Sequence, residues 1–280
     1  MHCKSFYSCR TIFRTFWCNW TISRYCSLPR NSISLLNCGT VLVMENSRNF
    51  HVDLGDLRKP YQDPKATDTE FKYVDPFVAF DAWFQEVLSL QEGLSYEETN
   101  GVALATCTKD GVPSCRWVLL KGYSNKGFKF FTNYGSRKGS NLAENPRAAM
   151  TFFWCKVSRS VRIEGTVEKL SAAESDEYWG RRPRQSQASA AISDQSSVVS
   201  SRMYLQERLD ELEEKYKDQP IPRPPHWGGY ILIPNRIEFW TGVSSRLHSR
   251  VRFRKAEPNE QLSEHSVRGA DDWVIERIAP

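Results

Sequence analysis

Apolar residues recur at helical spacing at Phe77, Phe80, Phe84, Val87 and Leu88, directly after Asp75-Pro76, which supply a cap and a first-turn proline. This predicts a helix whose apolar stripe is core. The period then changes to two. Gly101–Thr108 reads as a strand, Lys109-Asp110-Gly111 as a tight turn and Ser114–Lys121 as the antiparallel partner. Two apolar runs, Trp117–Leu120 and Phe128–Phe131, flank the turn residues Ser124-Asn125-Lys126-Gly127 and predict a hairpin. Ser136 caps a short helix that ends before Asn145-Pro146. Strands follow at Ala148–Lys156 and Arg159–Leu170, the second alternating Val161, Ile163 and Val167 with Arg162, Glu164 and Glu168. Ser171 and Glu174 form a capping box for a helix that carries Tyr178, Trp179, Arg181 and Arg182. Leu205, Leu209, Leu212 and Tyr216 mark a packing stripe on a charged helix, which Pro220–Pro225 terminates. Three strands near Trp227–Ile233, Arg236–Thr241 and Ser249–Lys255, a polar loop to Gly269 and a last strand around Trp273–Ile278 complete the chain. Without a βαβ rhythm, these elements describe a mainly β protein with helices (α+β), an antiparallel β-barrel with helices attached.

The net charge of +5 changes this picture once it is located. No acidic residue precedes Glu45, while Lys4, Arg10, Arg14, Arg24 and Arg30 do, so five of 38 basic residues lie in the leader and 33 remain against 33 acidic ones. A neutral body argues against a nucleic-acid partner, which needs an excess of phosphate-neutralising cations. The Arg- and Ser-rich front has the composition of a mitochondrial transit peptide, and Met44 offers an alternative cytoplasmic start. Residues 1–56 are thus expected to be a leader, disordered or targeting, and 57–280 the working domain, with Glu45–Thr69 as a mobile arm. No apolar run approaches the length of a membrane span. Cys3, Cys9, Cys18, Cys26 and Cys38 show no CxxC spacing, so no metal is expected, and Cys107, Cys115 and Cys155 read as small buried hydrophobes within strands.

Candidate chemistry is cationic. Arg116, Lys121, Arg137 and Lys138 surround the two apolar runs, and Arg137 and Lys138 fall in the first turn of a helix, where backbone donors also favour anions. Nucleotide-binding glycine loops, HExxH and GxSxG are absent, so any phosphate must be held by side chains. The candidates make two sets, Arg116 with Arg137 and Lys138, and Lys121 with Arg182, which suits a phosphorylated cofactor meeting a phosphorylated substrate. Arg116 and Lys121 are five apart, so a regular strand sends them to opposite faces; a bend or a second chain reconciles them. Arg184–Ser201, rich in Ser, Gln and Ala, reads either as a linker or as a donor-rich wall. Behind Trp240, His248 stands between Arg246 and Arg250, a poor core position and a fair site.

The ordered stretches RWVLLKG, FFTNYGSRKG, RRPRQSQ, DQSS, WGGY, EFW, RLHSR and DDWVIERIAP resemble the pyridoxine-5′-phosphate oxidase family, also called pyridoxamine-phosphate oxidases, over Leu57–Pro280. The resemblance implies a homodimeric FMN-binding split β-barrel. It implies oxidation of pyridoxine or pyridoxamine 5′-phosphate to pyridoxal 5′-phosphate, with electrons passed to molecular oxygen and hydrogen peroxide released. It places Arg116, Trp117, Val118, Leu119, Phe131, Thr132, Arg137, Lys138, Gln195, Ser196, Trp240 and Arg250 around FMN. Lys121, Tyr178, Arg182 and Ser186 fall on the substrate phosphate, Arg246, Leu247 and His248 on the pyridine ring, and Arg58 and Tyr61 on an arm that closes over it. Arg246 and His248 are the implied catalytic pair, acting by position and charge. Three departures stand out: Ser160 occupies a flavin-contacting position where the family has Gln, Ser249 replaces Asp in RLHDR, and WTG replaces WQG. They motivate the competing reading of a non-catalytic FMN- or pyridoxal-phosphate-binding barrel.

Overall fold

The computed structural model describes residues 36–38, 41–43, 61, 71–90 and 98–280. The chain divides into two compact units, Met1–Val52 and Asp53–Pro280. In the first, β1 (Leu36–Cys38) and β2 (Val41–Val43) pair antiparallel, Leu36 facing Val43.

The second unit is built around β9 (Trp227–Thr241), a strand of 15 residues. One edge of β9 pairs with β8 (Arg159–Lys169) from Tyr230 to Thr241. The other edge is divided: its first part, Trp227–Leu232, pairs with β6 (Gly127–Asn133), and its last part, Arg236–Thr241, with β10 (Ser249–Lys255). Pro234 falls between the two partners, where its missing N–H removes no ladder bond on that edge. A register shift at Glu164/Gly165 lies opposite it, and a Cβ on Gly165 would stand 2.0 Å from the Ile233 carbonyl oxygen, so this approach requires glycine. The sequence expectation of two strands here is corrected: Pro234 switches the partner and does not end the strand.

From β8 the sheet continues through β7 (Arg147–Trp154) and β3 (Gly101–Cys107) to β4 (Pro113–Leu119). Beyond β10 it continues through β12 (Trp273–Arg277) to β11 (Ser266–Arg268), a strand inside the stretch expected to be a polar loop. The expected hairpin also changes. Phe128–Phe131 lies in β6, whose hairpin partner is the short β5 (Gly122–Ser124), whereas Trp117–Leu119 lies in β4 and pairs with β3. Leu120 and Lys121 belong to neither strand, which supplies the bend required by the spacing of Arg116 and Lys121.

Five α-helices are seen among the described residues: α1 (Pro76–Ser89), α2 (Arg137–Glu144), α3 (Ala172–Gly180), α4 (Arg184–Ile192) and α5 (Arg202–Lys215). Asp75 caps α1 through bonds from the Phe77 and Val78 amides, and Ser171 and Glu174 form the capping box of α3. α1 plugs the barrel. Phe80 is fully buried, with ring centroids of Tyr123, Phe128 and Phe152 at 5.0, 4.9 and 5.4 Å. Ala79, Trp83, Phe84 and Val87 share its burial; Leu88, expected in the same stripe, is 38 % exposed because it falls at the rim of the helix face. The cysteines also depart from expectation, since Cys115 and Cys155 are exposed and Cys107 is half-buried. Cys115 lies on the solvent-facing side of an edge strand, and Cys155 has left the strand for a single 3-10 turn.

A smaller apolar cluster of Trp179, Ala188, Ile221 and Trp227 seats α3 and α4 on the start of β9, with Leu209 and Leu212 of α5 and Tyr216 just after it packed against it. No helix among the described residues is long and apolar enough to cross a membrane. Replacing Phe80 by Ala is expected to cost about 3–5 kcal/mol of unfolding free energy, and Leu88→Ala less than about 1 kcal/mol. Denaturant titration of both variants measures this; similar losses would contradict the plug assignment.

Candidate active site

A cavity of about 640 Å³ opens where β4, β6, α3 and α4 converge. Trp117, Val118 and Leu119 of β4 and Phe131, Thr132 and Asn133 of β6 form one side; Tyr178, Arg182, Gln185, Ser186 and Ser189 form the other, with Lys121, Lys138 and Gln195 also lining it. Arg184–Ser201 is therefore not a linker. Most of its first half is α4, and Gln185, Ser186 and Ser189 share one helical face, so the donor-rich wall is what the fold builds.

Lys138 is the cation most constrained by its surroundings. It is 8 % exposed, and its Nζ donates to Gln195 Oε1 at 2.6 Å, Thr132 Oγ1 at 2.9 Å and Ser136 Oγ at 3.0 Å. Burial first, and the charge of Arg116 second, push its ammonium down to about 8. Arg116 itself lies outside the cavity wall. Its guanidinium donates to the Leu104 carbonyl and to Thr106 Oγ1, both at 2.9 Å, and to Ser114 Oγ, while buried Asn141 of α2 donates to the same two hydroxyls. Burial, and the charge of Arg137, lower it as well. Arg137 opens α2 and donates its backbone N–H to Ser196 Oγ at 3.2 Å.

Arg182 is planted on aromatic faces. Tyr178 stacks on Phe131 at 4.0 Å, Phe131 on Trp227 at 5.6 Å, and the guanidinium lies 4.8 Å over Trp227. One of its amino groups donates to the Ser186 carbonyl at 3.0 Å, and its Nε is buried without a hydrogen-bond partner. Among the described residues, none of Arg116, Lys121, Arg137, Lys138 and Arg182 has a carboxylate partner, whereas Arg159, Arg162, Arg223, Arg250, Arg252 and Arg254 each do. Cations gathered unneutralised around a cavity are a site for anions.

The second set of expected residues lies elsewhere. Tyr61, Trp240, Arg246 and His248 form one cluster, in which the imidazole centroid is 4.9 Å from Trp240 and 5.2 Å from Tyr61, and the Arg246 guanidinium is 5.4 Å over the Tyr61 ring. Gly242 makes the approach feasible, since a Cβ there would meet Trp240 at 2.7 Å and Tyr61 at 2.8 Å. Arg246 adopts a positive φ of 67°, and Leu247 beside it is 75 % exposed. His248 Nδ1 accepts the Val243 N–H at 3.2 Å, so Nε2 is the outward donor of the neutral ring. Burial and Arg246 lower its pKa, keeping it neutral near pH 7. Ser160 and Arg250 sit on the same sheet face, each at the position across from Trp240. None of these residues lines the cavity. Trp227, in the cavity, and Trp240 stand at opposite ends of β9, separated by about 40 Å of strand contour. Arg58 lies outside the described residues.

Sequence reasoning missed Asn133, Gln185, Ser189, Ser193, Leu209 and Trp227 of the cavity wall. The spacing of Gln185 and Ser189 was a signal for a polar helical face; Asn133 and Trp227 carried none, because their place depends on the pairing of β6 with β9.

The sequence model described as pyridoxamine 5′-phosphate oxidase matches residues 91–216, and that described as the pyridoxine 5′-phosphate oxidase C-terminal dimerisation region matches residues 227–280. The chain is 46 % identical over 238 residues to pyridoxine-5′-phosphate oxidase of Bos taurus, covering 84 % of this chain and 90 % of that one. It is 47 % identical over 228 residues to the pyridoxine/pyridoxamine 5′-phosphate oxidase of Salinibacter ruber, covering 81 % and 99 %. Among solved structures, PhzG from Burkholderia lata in complex with tetrahydrophenazine-1-carboxylic acid superposes with a TM-score of 0.64 at 28 % identity, covering 78 % of this chain and 98 % of that one. An FMN-binding protein from Nostoc punctiforme shares the fold, with a TM-score of 0.54 at 15 % identity over 72 % of this chain and 97 % of that one. The split barrel read from the motif order is the fold observed, and the chain belongs to the pyridoxamine 5′-phosphate oxidase family.

Proposed function

We propose that this chain is an FMN-dependent oxidase that converts pyridoxine 5′-phosphate or pyridoxamine 5′-phosphate to pyridoxal 5′-phosphate, working as a homodimer. The observation that carries the reading is the gathering of cations without carboxylate partners at one cavity: Lys121, Lys138 and Arg182 line it, and Arg116 and Arg137 stand outside its wall, with the charge of Arg116 felt at Lys138. Bound FMN supplies a hydride acceptor that molecular oxygen reoxidises, releasing hydrogen peroxide.

The residues present fit that cofactor. Arg116, Arg137 and Lys138, the start of α2, and the polar groups of Thr132, Gln195 and Ser196 would hold its phosphate, and Trp117, Val118, Leu119 and Phe131 would border its body. Lys121, Tyr178, Arg182 and Ser186 would take the substrate phosphate, and the orphaned Arg182 Nε is the donor such an anion satisfies. Arg246, Leu247 and His248 would orient the pyridine ring, with Tyr61 and Arg58 of the arm closing above it. His248 presents Nε2–H and Arg246 a fixed positive charge, so both position the substrate and bias charge near the reacting carbon. Water exclusion falls to Tyr61 and Trp240.

Two half-sites separated by the length of β9 cannot share one small ligand within a chain. In a two-fold dimer, the partner's Trp240–Arg250 cluster completes each cavity, and the match of residues 227–280 to a dimerisation region supports this arrangement. The departures are accommodated locally: Ser160 Oγ donates to the Phe152 carbonyl at 2.8 Å, and Ser249 Oγ accepts from Arg277 at 3.2 Å. One flavin contact is thereby given up at Ser160, at a cost of about 1 kcal/mol. The acid-free leader directs the protein to the mitochondrion or, from Met44, to the cytoplasm.

Anaerobic addition of pyridoxine 5′-phosphate to the FMN-loaded protein is expected to bleach the flavin absorption band, and air to restore it. A band that ignores substrate would leave only the binding-protein reading. FMN affinity is expected to fall as pH rises through about 8, because Lys138 must carry its proton to face the phosphate and holds it less well above that value. Fluorescence titration of apoprotein between pH 6.5 and 9.5 measures this, and the dependence should vanish in Lys138→Met. Arg182→Ala is expected to raise KM for the phosphorylated substrate by roughly tenfold or more with FMN affinity unchanged; steady-state kinetics and the same titration separate the two.

A further inference from the structure

Glu238 is a buried carboxylate that the assigned roles leave unexplained. Its side chain is 7 % exposed, yet it lies on the outer face of β8, β9 and β10, the face that bears Trp240 and Arg250. Each oxygen is committed to a different arginine. Oε1 accepts from Arg250 Nε at 2.7 Å, and Oε2 accepts from an amino group of Arg162, whose Nε faces Glu164 at 3.3 Å. Burial raises the Glu238 pKa, but the bonds and charges of Arg250 and Arg162 outweigh it, and the net shift is downward, so the group is ionised.

Arg250 is held at a second point. Its Nη1 donates to the carbonyl of Ala279 at 2.7 Å, and the Ile278 N–H donates to the Arg250 carbonyl at 3.1 Å. A guanidinium is a rigid planar fork, so bonds at Nε and Nη1 fix its plane and aim the remaining amino group. That group, Nη2, has no partner among the described residues. The arrangement differs from an ordinary surface ion pair, in which both side chains stay exposed and mobile. Here a carboxylate has been taken out of water and the last residues of the chain have been folded back for one cation.

Resting on the reading of Arg250 as a flavin contact, we propose that Glu238 and the C-terminal segment Ile278–Ala279 are positioning groups, which hold the Arg250 guanidinium in the orientation that binds FMN. Glu238 touches neither ligand and acts through Arg250. Arg162 is its counter-cation, which keeps the carboxylate charged and in place. The last residues of the chain thereby contribute to cofactor affinity without entering the cavity.

The test is FMN titration of apoprotein, read by flavin fluorescence, in a double-mutant cycle. Glu238→Gln keeps the shape and removes the charge; it is expected to raise the FMN dissociation constant by about tenfold or more, as is deletion of Ala279 and Pro280 to a smaller degree. In an Arg250→Met background, Glu238→Gln should cause no further weakening. Thermal melting of each apoprotein monitors the fold, and if the Gln variant does not fold, Glu238→Asp takes its place in the cycle, withdrawing the carboxylate by one methylene with its charge intact. FMN affinity unchanged in the Glu238 variant, or losses that add in the double variant, would overturn the proposal. If Arg250→Met itself binds FMN normally, the flavin role of Arg250 falls and the proposal with it, an outcome distinct from failure at Glu238 alone.

Discussion

One strand edge shared between two partners sets the architecture. β9 pairs with β8 along one side and gives its other side first to β6 and then to β10, with Pro234 at the exchange and the Gly165 bulge opposite. This divided edge splits the barrel. It also fixes the chemistry in space, because Trp227 at one end stands in the aromatic stack under Arg182, and Trp240 at the other packs at a tilt against His248. A strand is a stiff spacer, and one 15 residues long keeps the two ends from meeting in one chain. On the proposed reading, that stiffness is why a site would need a second copy.

The distribution of counter-charges follows the same division. On the β10 side every arginine of the strand has a carboxylate: Arg250 has Glu238, Arg252 has Glu276, and Arg254 has Glu260 and Glu276. In the cavity, Lys121, Lys138 and Arg182 have none, and backbone carbonyls, hydroxyls and aromatic faces stand in their place. Burying an ammonium and holding a like charge near it costs stability in the empty protein, and the depressed Lys138 ammonium records both, burial first and the charge of Arg116 second. On the proposed reading, a bound phosphate would offset that cost and so gain affinity.

Much of this was legible in the sequence, for reasons that can be named. Alternation along Val161, Ile163 and Val167 gave the buried face of β8, and Ser136, Asp75 and Ser171 gave three helix starts, because a cap is a local interaction. The order of motifs gave the family and, through it, the fold. What failed was non-local. The apolar run at Trp117 pairs with β3 instead of β6, Pro234 marks an exchange of partners on one edge and does not end the strand, and Cys115 faces outward, since periodicity gives faces but not neighbours. Within the site, Lys121 and Arg182 do share a cavity and the helical face of Gln185 and Ser189 closes it, yet Arg116 stands behind the wall. The role of Glu238 had no sequence signal, because a carboxylate in a strand of alternating charges reads as a solvated face until two arginines are seen to close over it.

The central claim is that a working site takes its phosphate grip from one chain and its Arg246–His248 cluster from another. Complementation between two defective variants tests it directly: Arg182→Ala and His248→Ala, each purified alone and then mixed under conditions that exchange subunits. If sites are shared, a random mixture in a two-fold dimer should regain about a quarter of wild-type activity, since half the dimers carry one intact site. Activity that stays at the level of the separate variants, with subunit exchange verified, would place each site within a single chain and contradict the account.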